Sequence, residues 1–253
     1  MIYFTADVHL GLPAGDAPDR EERFVSWLKG IRRPDTEALY LLGDIWDFWY
    51  EYRDVIPREG ARVVSEIIQL VEYGIEVCYI PGNHDIWLYS FWQDMGVKVL
   101  DQPYKVTLQR KNLLVGHGDG LGGASKSYSF MLKVFHNRFC QKLFSALHPW
   151  LAFRLGTDWS NRNRRSHGGY KFRGGEEPLY KFCVAECGKA ADEGAPVDYC
   201  IFGHFHDAVD LMLPVPEAVG PDGRPGPRLV VLKDWIGGGN HYAVLSGGEL
   251  TVF

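Results

Sequence analysis

The sequence predicts an α/β fold in a single domain. Three observations carry this. Short apolar runs rich in Val, Ile, Tyr and Phe alternate with amphipathic helical patterns. Most of those runs stop at a glycine, as strands do. Each of five runs ends in a polar cluster, and the carboxyl ends of strands are where α/β folds bind ligands.

Taken in order, Ile2–Thr5 runs into Asp7-Val8-His9. Glu21–Ile31 follows as a helix, with Phe24, Trp27, Leu28 and Ile31 on one face. Ala38–Leu42 runs into Gly43-Asp44. Gly60–Tyr73 repeats the helical spacing through Val63, Val64, Ile67, Ile68 and Val71. Ile75–Ile80 runs into Pro81-Gly82-Asn83-His84-Asp85, and Asn112–Val115 into Gly116-His117-Gly118-Asp119. After a different kind of segment, Leu179–Lys189 is a returning core helix and Tyr199–Phe202 runs into Gly203-His204-Phe205-His206. Pro214–Pro227 is a surface loop, and Leu229–Leu232 and Ala243–Phe253 are closing strands.

The different segment is residues 121–175. It holds ten basic residues against one acid, Asp158, for a net charge of +9 in a chain whose total is −5. It also holds Phe130, Met131, Leu132, Phe135, Phe139, Leu143, Phe144, Leu147, Trp150 and Trp159. We read it as a helical insertion within the single domain formed by residues 1–253.

Composition narrows the classes. With 46% hydrophobic and 23% charged residues, the chain is neither disordered nor fibrous. The acidic total excludes a basic nucleic-acid coat. No apolar run approaches the roughly 20 residues of a membrane helix. The start, Met1 to Asp7, has no basic region and no long apolar stretch, so no secretory signal is expected. The cysteines Cys78, Cys140, Cys183, Cys187 and Cys200 are scattered and odd in number. They read as reduced thiols of a cytoplasmic protein rather than a disulfide framework.

The chemistry therefore lies among His, Asp and Asn. Asp-x-His alone is common at a solvated strand end, Gly-Asp is usually a turn, and a single histidine is usually structural. Five such clusters in succession, each closing an expected strand, are a different matter. A phosphoester is negative and repels hydroxide. Two cations about 3.5–4 Å apart neutralise it and stabilise the attacking and leaving oxygens. Asp, His and Asn ligands suit Mn²⁺, Fe or Zn²⁺ better than Ca²⁺, which takes oxygen only.

The order Asp-x-His, Gly-Asp, Gly-Asn-His-Asp, Gly-His-Gly-Asp, Gly-His-x-His resembles the calcineurin-like metallophosphoesterases, from Asp7 to His206. The resemblance implies a β-sandwich flanked by helices around two divalent ions, with Mn²⁺ favoured. It assigns Asp7, His9, His206 and Asp44 to one ion, and Asn83, His117, His204 and the bridging Asp44 to the other. It leaves His84 facing the substrate phosphate, with Asp85 expected to orient its imidazole.

A helical lid before Gly-His-x-His further resembles the LpxH-type UDP-2,3-diacylglucosamine hydrolases of lipid A synthesis. The stretches Asp158 to Arg165 and Leu232 to Ile236 look closer to the variants common in Bacteroidetes. The resemblance implies hydrolysis of a lipid-linked nucleotide sugar to UMP and 2,3-diacylglucosamine 1-phosphate, at the inner face of the inner membrane. Better-known members read Gly-Asn-Arg-Asp where this chain has His84. Asn83, His84, Ser160, Asn163, Arg164 and Lys171 are the expected substrate contacts, the last four at the phosphate and sugar, with Arg165 beside Arg164 at the diphosphate. Nucleic acid is not expected, because its binders seldom gather so many Phe, Leu and Met residues. The alternatives are a generic phosphoesterase acting on nucleotides or small diesters, and a non-catalytic scaffold of the same fold.

Overall fold

The computed structural model describes residues 1–15, 17–123, 126–167, 171–215 and 226–253, with the backbone only at 136 and 161–167. The elements are β1 (Ile2–Thr5), α1 (Ala17–Ile31), β2 (Ala38–Leu41), α2 (Ala61–Tyr73), β3 (Glu76–Tyr79), α3 (Phe91–Asp94), β4 (Lys98–Val99), β5 (Tyr104–Leu108), β6 (Lys111–Val115), α4 (Lys126–His136), α5 (Arg138–Ser145), α6 (Pro149–His167), α7 (Pro178–Asp192), β7 (Tyr199–Phe202), β8 (Val209–Met212), β9 (Arg228–Val231), β10 (Tyr242–Ser246) and β11 (Glu249–Val252). The loop expected at Pro214–Pro227 lies largely outside the described residues, at 216–225.

Two sheets form, in the orders β11-β10-β1-β2-β3-β4 and β5-β6-β7-β9-β8. Strands β1 to β4 are parallel in the first, and β6, β7 and β9 in the second. The side-chain period of two sorts each strand's residues between faces. Ile2 and Phe4 of β1 and Ala38 and Tyr40 of β2 point inward and meet Leu113, Val115, Ile201 and Val230 of the second sheet. Tyr3, Leu39, Leu41, Val77 and Tyr79 point outward and pack under Phe24 and Leu28 of α1 and Val63 and Ile67 of α2. Leu114, Cys200, Phe202, Leu229 and Val231 do the same under Leu179, Cys183 and Cys187 of α7. The inner strands β1, β2, β3, β7 and β9 are buried on both faces along most of their length, which is why the sequence shows apolar runs there and not alternation.

The segment between β6 and α7, expected as a lid, forms the helices α4 to α6. It rests on Phe48, Tyr50 and Trp87, into which Phe135, Phe144 and Phe153 pack. The contact is fixed by hydrogen bonds from Tyr50 Oη to the Gln141 carbonyl (2.9 Å) and from Trp87 Nε1 to the Phe135 carbonyl (3.2 Å). Helix α6 lies closest to the core. Ala152, Gly156 and Ser160 are buried at four-residue spacing, so a stripe of small side chains faces inward. The opposite side of the lid stays in water, with Phe130, Phe139, Leu143 and Trp150 all more than half exposed. Among the described residues no helix is long and apolar enough to cross a membrane.

Candidate active site

The strands β1, β2, β3, β6 and β7 deliver their C-terminal loops to one edge of the sandwich. The backbone there is unusual. Asp7, His9, Asp44, His204 and His206 all have left-handed φ, between 50° and 73°. Such conformations cost free energy in residues with a Cβ and collect at functional sites. Here they turn side chains two residues apart toward one point. The motif glycines make room. A Cβ on Gly82 would fall on the Asp44 carboxylate, and one on Gly203 on that of Asp7.

Three groups of ligand atoms lie within 4.8 Å of one another: Asp7, His9 and His206; Asp44, His117 and His204; and His9, Asp44 and His84. The Asp44 carboxylate is common to the last two. Its Oδ2 stands 3.3 Å from His117 Nε2, 3.9 Å from His9 Nε2 and 4.0 Å from His84 Nε2. His9 Nε2 is 3.6 Å from Asp7 Oδ1, and His206 Nε2 is 4.0 Å from it. These separations suit donors arranged around a cation better than donors bonded to one another.

Two further features fit divalent metal. Asp7 Oδ1 and Asn83 Oδ1 are buried with no hydrogen-bond partner among the described residues, a cost that an ion would remove. Three imidazoles are also held from behind at Nδ1, which leaves Nε2 toward the centre. His9 Nδ1 is 3.3 Å from Asp47 Oδ1, His206 Nδ1 is 2.8 Å from Asp234 Oδ2, and His117 Nδ1 is 2.9 Å from the Leu42 carbonyl. Metal-ligating histidines are typically oriented this way.

The electrostatics without metal are frustrated. Burial pushes the Asp44 carboxyl up, but His117 and His84 outweigh it and hold it well below the usual range. Burial pushes His117 down, yet the charge of Asp44 carries it well above an ordinary histidine. His204, 3.3 Å from His117, is driven down to about 4 by burial and by that neighbour's charge. A divalent cation between Asp44, His117 and His204 would relieve these opposed demands.

His84 is 7% exposed, and its Nδ1 is 2.8 Å from the Asp47 carbonyl. The orienting role expected of Asp85 is therefore corrected. The Asp85 carboxylate accepts backbone N–H bonds from Asp44, Ile45, Trp46 and Gly82 and the hydroxyl proton of Tyr79. It braces the loop that carries Asp44. Burial and the charge of Asp44 raise its pKa to about 6.

Of the expected substrate contacts, Ser160 is fully buried and donates its hydroxyl to Asp47 Oδ2 at 2.9 Å. Lys171 is exposed, beside Phe172, whose N–H donates to Asp207, next to His206. Asn163, Arg164 and Arg165 lie on the described backbone of α6, but their side chains fall outside the described residues. Asp47 was not singled out in the sequence, and Asp234 was noted only as part of the stretch Leu232 to Ile236, with no role given to it. The spacing Gly43-Asp44-x-x-Asp47 was the available signal for the first; that stretch was the signal for the second.

A family model for calcineurin-like phosphoesterases matches residues 1–208. A UDP-2,3-diacylglucosamine hydrolase of Porphyromonas gingivalis is 32% identical, over 99% of this chain and 96% of that protein. One from Neisseria gonorrhoeae is 31% identical over 57% of this chain and 59% of its own. A dimetal phosphatase from Danio rerio superposes with a TM-score of 0.48 and 13% identity, over 96% of this chain and 91% of that one.

Proposed function

The chain belongs to the calcineurin-like phosphoesterases, and we propose that it hydrolyses the pyrophosphate of UDP-2,3-diacylglucosamine. Water attacks the α-phosphorus, the bond from that phosphorus to the bridging oxygen breaks, and the products are UMP and 2,3-diacylglucosamine 1-phosphate. The observation that carries this reading is similarity to a hydrolase of that name across nearly the whole of both chains, lid included.

Asp7, His9, His206 and Asp44 would hold one divalent ion, and Asn83, His117, His204 and Asp44 the second. Such a pair supplies charge neutralisation at the phosphoryl oxygens and a hydroxide nucleophile near neutral pH. The mixed nitrogen and oxygen donors favour Mn²⁺, Fe or Zn²⁺, and we take Mn²⁺ first. His84, tied at Nδ1 to the Asp47 carbonyl, keeps Nε2 for the phosphoryl group. There it stabilises developing charge or gives a proton to the leaving oxygen.

The lid supplies substrate selection. Its Lys126, Lys133, Arg138, Lys142 and Arg154 accompany Phe130, Phe139, Leu143 and Trp150, the last four exposed at 68%, 69%, 57% and 63%. Acyl chains leaving a bilayer meet such a surface favourably, at about 0.8 kcal/mol for each buried methylene. Peripheral contact with an anionic membrane belongs to the same reading.

The test is incubation of purified protein and Mn²⁺ with UDP-2,3-diacylglucosamine, with UMP followed by chromatography. UMP release should exceed that from UDP-N-acetylglucosamine at equal concentration. Equal rates on both would assign the chain to a generic phosphoesterase activity.

A further inference from the structure

We propose that Ser160 is a positioning residue through which the lid completes the catalytic centre. The expectation from sequence was a contact to substrate. The geometry gives its hydroxyl another task. Ser160 is fully buried on the inward stripe of α6, and its Oγ lies 2.9 Å from Asp47 Oδ2 and 3.4 Å from His84 Nδ1. Asp47, itself 2% exposed, presents its other oxygen to His9 Nδ1 at 3.3 Å. Its backbone carbonyl takes His84 Nδ1 at 2.8 Å. One buried residue of the core thus touches a metal-ligand histidine, the phosphoryl-facing histidine and the lid.

The chemistry of the link is directional. A carboxylate that accepts Nδ1–H of a ligand histidine fixes its tautomer and raises its basicity. A carboxylate can also rotate about its own bond. The hydroxyl on Oδ2 adds a hold on that rotation that keeps Oδ1 on His9. Ser160 donates across 113 positions of sequence, so the bond forms only when α6 is seated. Seating demands small residues, because a Cβ on Gly156 would run into the Phe48 ring one turn away. Lid closure and alignment of His9 and His84 are then one event. An enzyme with its lid raised holds a loosened centre and turns over slowly, which confines hydrolysis to substrates that let the lid seat.

This inference rests on the phosphoesterase reading but not on the identity of the substrate, so its test uses two substrates. The full chain and its Ser160→Ala, Ser160→Cys, Asp47→Asn and Ser160→Ala/Asp47→Asn variants are assayed on bis-p-nitrophenyl phosphate, which is too small to need lid contacts. They are also assayed on UDP-2,3-diacylglucosamine. Mn²⁺ affinity is measured without turnover, by chelator competition. Loss of an outer-shell partner typically costs about 10–100-fold in metal affinity or activity. Ser160→Ala should lower kcat by about that factor on both substrates while KM changes less than roughly twofold, and Mn²⁺ should bind more weakly. Ser160→Cys, of the same shape with a weak donor, should fall between. The double variant should be no worse than Asp47→Asn alone.

A raised KM on the diacyl substrate with the small diester untouched would make Ser160 a substrate contact and overturn the proposal. A lowered melting temperature with kcat and Mn²⁺ affinity intact would make it merely structural and overturn the proposal equally. If Ser160→Ala does not fold, the Ser160→Cys and Asp47→Asn measurements decide the matter by the same criteria. A wild-type protein that hydrolyses the diester but not the UDP-sugar would remove the substrate assignment and leave this test standing.

Discussion

Replacing Gly156 by alanine sets two effects of opposite sign against each other. Inside a helix, alanine is better than glycine by about 1 kcal/mol. The new methyl, however, would stand 2.5 Å from Cδ2 and Cζ of Phe48 and nearer still to Cε2. Carbon atoms settle at about 3.5–4.0 Å, so helix and ring must separate by roughly 1 Å. Phe48 has little room to yield. It is 8% exposed, and the rings of Trp87, Phe144 and Phe153 surround it with centroids at 5.5, 6.3 and 5.7 Å. Overpacking of this kind costs about 1–3 kcal/mol. The net effect runs from nothing to about 2 kcal/mol of destabilisation, which lowers the melting temperature by at most roughly 8 °C. The catalytic effect should be larger. A misplacement of about 1 Å can cost on the order of 10²-fold in rate, and Ser160 lies one turn further along the same face. Differential scanning calorimetry, metal analysis and diester hydrolysis on the same preparation provide the assay. A kcat reduced about 10–100-fold in saturating Mn²⁺, where the metal sites are filled, is the expected result. A melting temperature raised by the roughly 2–4 °C of propensity alone, with kcat retained, would refute the close packing of α6 on the core.

His84→Ala should keep both metals, by elemental analysis, and lose about 10²–10³ in kcat, the usual loss for one transition-state donor; loss of metal would make it a ligand instead. Asp234→Asn should weaken Mn²⁺ binding about 10–100-fold in chelator competition, since Asp234 holds His206 2.8 Å away, and unchanged affinity would dismiss that role. The metal-free protein should show a particular pH dependence. His117 is raised above its ordinary 6.5, chiefly by Asp44 against burial, so its stabilisation is complete below pH 6.5 and lost as pH climbs through the raised value. His204, near 4, has finished titrating by then, and Asp85, near 6, loses its last fraction of a proton at the start of that range with a change of the same sign. Melting temperature in chelator should therefore fall as pH rises above 6.5, and should not fall in saturating Mn²⁺, where the ion replaces the proton; a flat profile in chelator would refute the Asp44–His117 pairing.

Much of the candidate site was legible in the sequence because its Asp, Asn and His side chains come in local clusters. Each pair or single residue sits within a few positions of a strand end, so one strand delivers it, and burial on both faces made those strands apolar runs. Ile2–Thr5 and Tyr199–Phe202 have the bounds expected of them. The strands that escaped notice are of another kind. Tyr104–Leu108 and Val209–Met212 lie at sheet edges and alternate between half-buried and exposed residues, and Lys98–Val99 spans only two. Ala243–Phe253, expected as one strand, is the β10–β11 hairpin, turned at Gly247 and Gly248, both at positive φ.

What the sequence by itself determined is the family, legible in the order of Asp7, His9, Asp44, Asn83, His84, His117, His204 and His206. Only the tertiary structure decided what stands behind them. Asp85 follows His84 in the chain but turns to the backbone of residues 44–46, because that loop leaves buried N–H groups in need of an acceptor. Asp47, Asp234 and Ser160 reach His9, His206 and Asp47 from distant segments. Such partners are chosen by which surfaces meet when sheets and lid pack, and that meeting leaves no periodic trace along the chain.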